Sequence, residues 1–203
     1  SSSAASDVYK RQLLFLLLAV LLAALPAQTT AVEVTALPST IDEFIALRDT
    51  LAVKPEGGAV MMVIAMLLYA ENRELGLQAF TVALDQSTLS AGNVYKGYQP
   101  KRGWYDSFAQ IDKYPFLGKI YVQGTRSGDG YRLPALPYRF TFTEIRKLSE
   151  DSYKVFITST GNNWPRPVTL VKNNRGIWKV KEGSSLFVGP TELPPEEKPD
   201  DDL

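Results

Sequence analysis

The sequence contains no cysteine and no histidine among its 203 residues. Without cysteine the chain has no disulfide, no thiolate ligand for zinc and no thiol nucleophile. Without histidine it lacks the side chain that most often serves as general acid or base near neutral pH. These absences exclude several large classes of enzyme, and they leave packing as the means by which the fold is stabilised.

Positive and negative side chains balance, because Lys and Arg number 22 and so do Asp and Glu. No overall charge therefore draws the chain to nucleic acid or to an anionic membrane. Aromatic residues stand among Lys96, Lys101 and Arg102, a composition that can stack on bases. No motif of a known nucleic-acid module accompanies them. We therefore predict no nucleic-acid partner, and we interpret these aromatics as anchors of a loop.

Motifs for phosphate and dinucleotide binding are also missing. The segment GTRSGDG at 124–130 is rich in glycine, but it does not open a predicted helix. Asp200, Asp201 and Asp202 could bind a hard cation loosely. They lie in a proline-rich acidic tail, residues 190–203, that we expect to be disordered. The sequence therefore predicts no cofactor and no metal site.

The N-terminal part is dominated by thirteen consecutive apolar residues, LLFLLLAVLLAAL at 13–25. Lys10 and Arg11 precede this run and small residues follow it, which is the pattern of a secretory signal peptide. We expect a signal peptide over residues 13–31, and hence a protein that is secreted or held in the cell envelope. No cysteine is present to carry a lipid anchor.

We expect cleavage of this signal peptide after Ala27 or Ala31. The alternative is an uncleaved anchor helix, although the apolar run is shorter than the roughly 20 residues that span a bilayer. After cleavage we predict no stable membrane span. Residues 1–12 resemble a translated sequencing-adapter remnant, and we leave them out of the fold prediction.

A capped helix opens the single globular domain that we predict over residues 38–189. Ser39 or Thr40 is placed to cap it, and Asp42 or Glu43 follows at the spacing of a capping box. Apolar residues then recur at helical spacing. The helix ends before Pro55, because the residue that precedes a proline avoids the α region.

A second helix begins at Pro55, which suits the first helical turn. Residues 59–70 form an unbroken apolar run, so we predict a helix that is buried on most sides. We expect Gly76 to end it. The segment LQAFTVALD at 77–85 is then a third short helix or the start of a strand.

The rest of the domain changes from loop to strand. We expect residues 86–118 to form a loop with one short helix near 104–111, ended by Pro115. From residue 119 the apolar period becomes two, which predicts an antiparallel meander. The predicted strands are KIYVQGT (119–125), YRFTFTEIRKL (138–148), YKVFITST (153–160), VTLVK (168–172) and GIWKV (176–180).

The last two strands enclose the turn of a hairpin. Asn173, Asn174 and Gly176 tolerate the left-handed backbone angles that such a turn requires. The hairpin leaves two arginines and two tryptophans unexplained, and an arginine stacked on tryptophan can be structural or can face a ligand. We therefore predict a ligand-binding surface made by Trp164, Arg166, Arg175 and Trp178.

Several segments resemble a family of secreted bacterial proteins classed only as a domain of unknown function. The segments are LYAENRELGLQAFTVALD, YVQGT, GYRLPALPYRF and the C-terminal signature RPVTLVKNNRGIWKVKEGSSL. The resemblance covers residues 38–189 and implies no activity.

A looser resemblance concerns architecture. Helices followed by a curved antiparallel meander are similar to the NTF2-like α+β cone, in which a sheet wraps around a long helix and leaves a pocket. Its members include enzymes, ligand binders and scaffolds, so the resemblance implies a fold and not a function. We predict an α+β fold with N-terminal helices packed on the meander.

Two functions fit these observations. The first is an exported binding or structural module whose partner is a cell-wall glycan, an anionic polymer or another envelope protein. The second is a small hydrolase or isomerase that uses pocket carboxylates. A buried carboxyl group with a raised pKa would favour the second. The carboxylates available in loops and strands are Asp106, Asp112, Asp129 and Glu144.

Overall fold

The computed structural model describes residues 30–191 and 193–195. The predicted signal peptide, apart from its last two residues, and most of the acidic tail lie outside the described residues. A layer of helices covers one face of a curled antiparallel sheet, a half-barrel, so the predicted α+β fold is confirmed. The helices are α1 (Ile41–Leu51), α2 (Pro55–Glu71), α3 (Arg73–Ala83) and α4 (Arg102–Lys113).

The strands form a five-stranded sheet and a separate hairpin. They are β1 (Ala31–Val34), β2 (Leu89–Tyr95), β3 (Tyr98–Pro100), β4 (Tyr138–Ser149), β5 (Ser152–Ile157), β6 (Arg166–Lys172) and β7 (Trp178–Glu182). The sheet order is β1–β4–β5–β6–β7, and every neighbour is antiparallel. The stretch from β4 to β7 is the predicted meander. The edge strand β1 precedes residue 38, where the sequence placed the start of the domain.

The start of α1 follows the predicted capping pattern. The Thr40 hydroxyl accepts a hydrogen bond from the Glu43 backbone N–H at 3.2 Å. The Glu43 carboxylate in turn accepts one from the Ser39 backbone N–H at 2.7 Å. These bonds satisfy donors that the helix itself leaves free. Pro55 then begins α2 as predicted.

Helix α2 is the buried centre of the fold. Every residue from Gly57 to Tyr69 is buried, which confirms the predicted buried helix. The helix contacts all five strands of the main sheet and also α1, α3 and α4. It therefore fills the space that the curled sheet encloses. Within the described residues, no helix has both the length and the apolar character needed to cross a bilayer.

Gly76 does not end α2, so that prediction was wrong. The chain breaks earlier, where the Asn72 side chain caps α3 by accepting a hydrogen bond from the Leu75 backbone N–H at 3.1 Å. Gly76 lies inside α3 and faces α2, and a Cβ at this position would lie 2.2 Å from the Tyr69 Cα. The glycine is required for close packing of two helices and not for a helix end.

Strands β2 and β3 form a hairpin where we expected a loop. Lys96 has φ of 46° and Gly97 has φ of 84°, and a type I′ hairpin turn requires positive φ at both of its central positions. In the sequence, the indication of this hairpin is the Lys-Gly pair between two tyrosines. The stretch contains few aliphatic residues, so the strand pattern on either side of the pair is weak. The helix that follows, α4, is the predicted helix extended at both ends.

Residues 119–125 do not form the predicted strand. Lys119–Tyr121 is a 3₁₀ turn, and the successive residues 120–122 are all buried. The Thr125 hydroxyl holds the segment by donating toward the carbonyls of Lys119 and Val122, at 3.0 and 2.9 Å. A strand alternates its side chains between two faces, so packing of three neighbours into one core favoured a turn over the β propensity.

The outer edge of β7 is closed by backbone from the helical layer. The Trp178 N–H donates to the Ala52 carbonyl at 2.7 Å, and the Asp85 N–H donates to the Val180 carbonyl at 2.8 Å. Leu84 and Val180 also form a parallel bridge. The end of α3 therefore lies directly beside β7 and the turn that precedes it.

Candidate functional site

A cavity of about 500 Å³ opens where the end of α3, the β2–β3 hairpin and the β6–β7 turn meet. We call it the first cavity. Aliphatic residues form part of its wall, and the rest is polar or aromatic. The polar and aromatic residues used below are Asp85, Gln86, Tyr98, Asn173, Asn174 and Lys179.

Lys179 is the central charged residue of the first cavity. It stands between the buried residues Trp178 and Val180 on β7, so its side chain leaves the opposite face of the strand toward α3. Its ammonium group donates a hydrogen bond to the Val82 carbonyl. No ion pair holds it among the residues that the structure describes.

Burial lowers the pKa of Lys179 to about 8, and the positive charge of Arg48 lowers it further. Asp85 and Asp49 act in the opposite direction, and Arg175 adds a second repulsive charge. The surroundings thus contain mixed charges, but none of the acids reaches the ammonium group. The desolvation of a charged amine explains the direction of the shift.

The remaining polar groups of the first cavity differ in how they are bonded. The Asn173 side-chain oxygen accepts hydrogen bonds from the Arg175 and Ile177 backbone N–H groups, at 3.0 and 2.9 Å, and so fixes the turn. The side chains of Gln86 and Asn174 make no hydrogen bond to the described residues. Their amide groups are therefore available to a ligand.

Two further features shape the entrance. Tyr98 is 43% exposed, so much of its ring is open to solvent. The Asp85 carboxylate accepts hydrogen bonds from the Ser87 backbone and hydroxyl, which fixes it at the start of the turn Gln86–Thr88. The cavity thus combines an aromatic face, free amides and a cation.

A second cavity, of about 320 Å³, lies on the other side of the turn Gln86–Thr88. Ser87 and Thr88 line this cavity, whereas Gln86 lines the first. Lys181 reaches it from β7, at a bulge in the pairing of β7 with β6. The wall also includes Lys101, Trp104 and Glu182.

The structure does not bring the four residues of the predicted ligand-binding surface together. Arg166 begins β6 and Trp164 lies just before it, whereas Arg175 and Trp178 belong to the turn and strand after β6. The strand has seven residues, so at about 3.3 Å per residue its ends are roughly 20 Å apart. The sequence placed these residues close only along the chain, and the strand separates them in space.

The four residues also differ in accessibility. Trp164 is 77% exposed, whereas Trp178 is 6% exposed and its ring lies edge-on to Tyr153, with centroids 5.1 Å apart. Arg166 is half-buried, and its guanidinium donates to the Asn162 side-chain oxygen at 2.7 Å. Arg175 is exposed beside the first cavity. Trp164 and Arg175 are therefore open to a ligand, and Trp178 is part of the core.

The carboxylates of the enzymatic alternative lie on the surface. Asp112 pairs with Arg73 at 2.7 Å, Asp129 with Arg126 at 3.0 Å and Glu144 with Arg146 at 2.7 Å, while Asp106 is exposed. The hydrogen bonds from Arg146 hold the pKa of Glu144 below its usual value. None of these four lines the two cavities described above. Within the described residues, no cluster of acids could hold a metal ion.

The sequence reasoning missed Lys179 and both cavities. Alternation along GIWKV places Lys179 opposite the buried tryptophan, which indicates an exposed lysine. Nothing local indicates that the end of α3 covers that face, since the contact joins residues about a hundred positions apart along the chain. The long-range packing of α3 was the information required.

Comparison with known proteins shows the family to which the chain belongs. No curated protein and no solved structure matches the chain. A family described as a domain of unknown function, DUF6935, matches residues 36–193, more than three quarters of the 203 residues. The match includes both cavities and every strand except β1. The chain therefore belongs to this family of unknown function.

Proposed function

We propose that the domain is an exported, non-enzymatic binding module of the bacterial cell envelope, and that it recognises an acidic glycan in the first cavity. The observation that carries the proposal is the ammonium group of Lys179, which lines a cavity without an ion-pair partner among the described residues. A desolvated cation is costly unless an anion approaches it. A ligand carboxylate would provide that anion.

Three residues that line the first cavity with Lys179, namely Gln86, Asn174 and Tyr98, favour a sugar over a simple anion. The free amides of Gln86 and Asn174 can donate to and accept from hydroxyl groups. The open ring of Tyr98 offers an apolar face beside a polar hydroxyl, which suits the face of a sugar ring. Arg175 at the rim adds positive charge that attracts an anionic ligand.

The assignment to the envelope rests on the predicted signal peptide. Strand β1 begins at Ala31, and the Phe142 N–H donates to the Thr30 carbonyl at 3.2 Å. Cleavage after Ala27 would leave these contacts intact, whereas cleavage after Ala31 would remove them. We expect Gln28 as the first residue when the protein is expressed with a start codon before residue 13 in a bacterial host. A mature chain that retains residues 13–25 would contradict cleavage and favour the uncleaved anchor helix.

The NTF2-like resemblance stays a prediction, supported by the sheet that curls around one buried helix. The enzymatic alternative requires a carboxyl group with a raised pKa in a cavity. The carboxyl groups whose pKa is shifted among the described residues are Glu43, Asp129 and Glu144, and each pKa is lowered. The observations therefore favour a binding module.

Calorimetric titration tests the proposed function. We expect galacturonate to bind the parent at least tenfold more tightly than galactose, its neutral counterpart. Lys179→Met should weaken galacturonate binding at least tenfold. Lys147→Met, at an exposed lysine of β4, is the matched control and should bind like the parent.

Two results would contradict the proposal. One is equal binding by the parent and Lys179→Met. The other is equally tight binding of inorganic phosphate, which would indicate a simple anion site. Mass spectrometry of an oligogalacturonate incubated with the protein would detect cleavage, and cleavage would favour the enzymatic alternative.

The loop around Trp164 is a second proposed contact surface, because its ring is 77% exposed. Tryptophan is enriched among the residues that carry most of the binding energy at protein interfaces. We expect Trp164→Ala to reduce the amount of protein that sediments with isolated cell-wall material, while its thermal midpoint stays within about 2 °C of the parent's, as for a surface change in a domain of this size. Unchanged sedimentation would remove this loop from consideration.

A further inference from the structure

The first and second cavities lie next to each other along β7. Lys179 enters the first and Lys181 enters the second, and the two residues are separated by one position in the strand. At about 3.3 Å per residue their Cα atoms lie roughly 7 Å apart. The turn Gln86–Thr88 provides the boundary between the cavities, with Gln86 facing one and Ser87 and Thr88 facing the other.

A bulge in β7 determines the direction of the Lys181 side chain. Leu170 pairs with Val180 and Thr169 pairs with Glu182, so Lys181 is the extra residue of the strand. Such bulges redirect side chains and are frequent next to binding sites. Here the extra residue directs a lysine into the second cavity.

Lys181 is also free to meet a ligand. It makes no hydrogen bond and no ion pair with the described residues. Lys101, across the cavity, donates to the Ser87 carbonyl at 2.7 Å, and the Glu182 carboxylate accepts from the Ser184 backbone and hydroxyl at 3.0 and 2.5 Å. Glu182 is the one acid in the lining of the second cavity, and these bonds hold it within its own loop. Two lysines, Lys101 and Lys181, line the same cavity.

Trp104 gives the second cavity an aromatic wall. It is 9% exposed, and its ring lies 6.3 Å from both Phe108 and Phe187, measured between centroids. The ring is held firmly in place by this cluster. Each cavity therefore contains an aromatic residue, hydrogen-bonding groups and a lysine without an ion-pair partner.

We infer that the two cavities are consecutive subsites for one acidic oligosaccharide, which passes over the turn Gln86–Thr88 and presents a carboxylate to Lys179 and another to Lys181. The inference rests on the proposed function of the first cavity and names its ligand as a chain instead of a single sugar. Charge supports the assignment, since Lys179 and the charged groups that act on it together comprise three cations and two anions, and the lining of the second cavity comprises two cations and one anion.

Binding to galacturonate and to its linear trimer tests the inference by calorimetry. The parent should bind the trimer at least tenfold more tightly than the monomer, which exceeds the roughly threefold gain that three equivalent sugars give by chance. Lys181→Met should leave monomer affinity within twofold and abolish most of the gain. Lys179→Met should weaken both ligands, and Lys147→Met should affect neither.

Tryptophan fluorescence distinguishes binding in the second cavity from a general effect of charge on affinity. A Trp164→Phe protein retains Trp104 and the core residue Trp178. The difference in emission between this protein and one that also carries Trp104→Phe should change with the trimer and not with the monomer. Equal affinity for monomer and trimer, or a Lys181→Met protein that keeps the gain, would overturn the inference. If the monomer still binds through Lys179, the proposed function survives that result. Failure of both ligands to bind would overturn both.

Discussion

Gly76 in α3 lies so close to Tyr69 in α2 that a Cβ on the glycine would stand 2.2 Å from the tyrosine Cα. The obstacle is backbone and cannot rotate away. We therefore expect Gly76→Ala to destabilise the domain by about 2 kcal/mol or more, although alanine favours helix by about 1 kcal/mol over glycine. Urea unfolding measures the difference.

Gly103 in α4 is the matched control, since a Cβ there would meet nothing within 4 Å. Gly103→Ala should stabilise the domain by about 0.5–1 kcal/mol through helix propensity alone. Equal effects of the two substitutions would show that α3 does not pack on α2 in this way.

Ile64 tests the buried centre of the fold. It is 0% exposed in α2, so Ile64→Asp would bury an unpaired charge at a cost of several kcal/mol, against a typical total stability of about 5–15 kcal/mol. We expect no cooperative thermal transition in this variant. Leu148→Asp, at a leucine that is 49% exposed, should melt like the parent. A soluble Ile64→Asp protein with a cooperative transition would show that this face of α2 is open.

Lys179 makes the stability of the domain depend on pH. Its pKa is about 8 in the folded protein and 10.5 ordinarily, so between these values the unfolded chain binds more protons. Stability then rises with pH across this window, and the cost of the buried charge is fully present below pH 8. Relative to Lys179→Met, the parent should gain up to about 3 kcal/mol between pH 7 and pH 10.5.

Urea unfolding of both proteins at pH 7, 9 and 10.5 provides the measurement. The comparison with Lys179→Met removes the contributions of the other titrating groups. A difference between the two proteins that stays constant across this range would mean that the lysine is solvated in the folded state.

Substitution of Arg166 and substitution of Arg175 should have different effects on stability and binding, although both residues were predicted to lie on one surface. Arg166 is half-buried and bonded to Asn162, and its Nε is buried without a partner. Arg166→Gln should therefore cost about 1–2 kcal/mol of stability. Arg175→Gln should change stability by less than about 0.5 kcal/mol and weaken galacturonate binding several-fold.

Chemical denaturation and calorimetry distinguish these two outcomes. A stable Arg166→Gln protein with reduced binding to cell-wall material would restore the predicted surface at that end of β6.

Local patterns predicted most of the elements but not how they meet. The cap at Thr40, the buried α2 and the turn at Asn173 follow from neighbouring residues, and the structure confirms each. The hairpin at Lys96 had only a two-residue signal. Residues 119–125 had a strand pattern that tertiary packing overrode. In that segment a decisive contact joins distant parts of the chain, since the Tyr121 hydroxyl donates to the Leu186 carbonyl at 2.9 Å.

The site shows the same limit. The sequence predicted that the Trp178 ring contacts a ligand, but in the structure the ring packs edge-on against Tyr153 of another strand. Strand alternation indicates that Lys179 is exposed, but the end of α3 covers its side chain. Whether a side chain is open or desolvated depends on partners that no short stretch of sequence specifies.

The backbone bonds from Ala52 and Asp85 to β7 have one more consequence. Substitution of side chains cannot remove them, because they join main-chain atoms. The helical layer is therefore registered against the sheet independently of which apolar residues fill the space between the two. Relatives that differ in the core can still hold the lysine position of β7 at the same height beside the acid that follows α3, so the geometry of the cavity can persist while the interior changes.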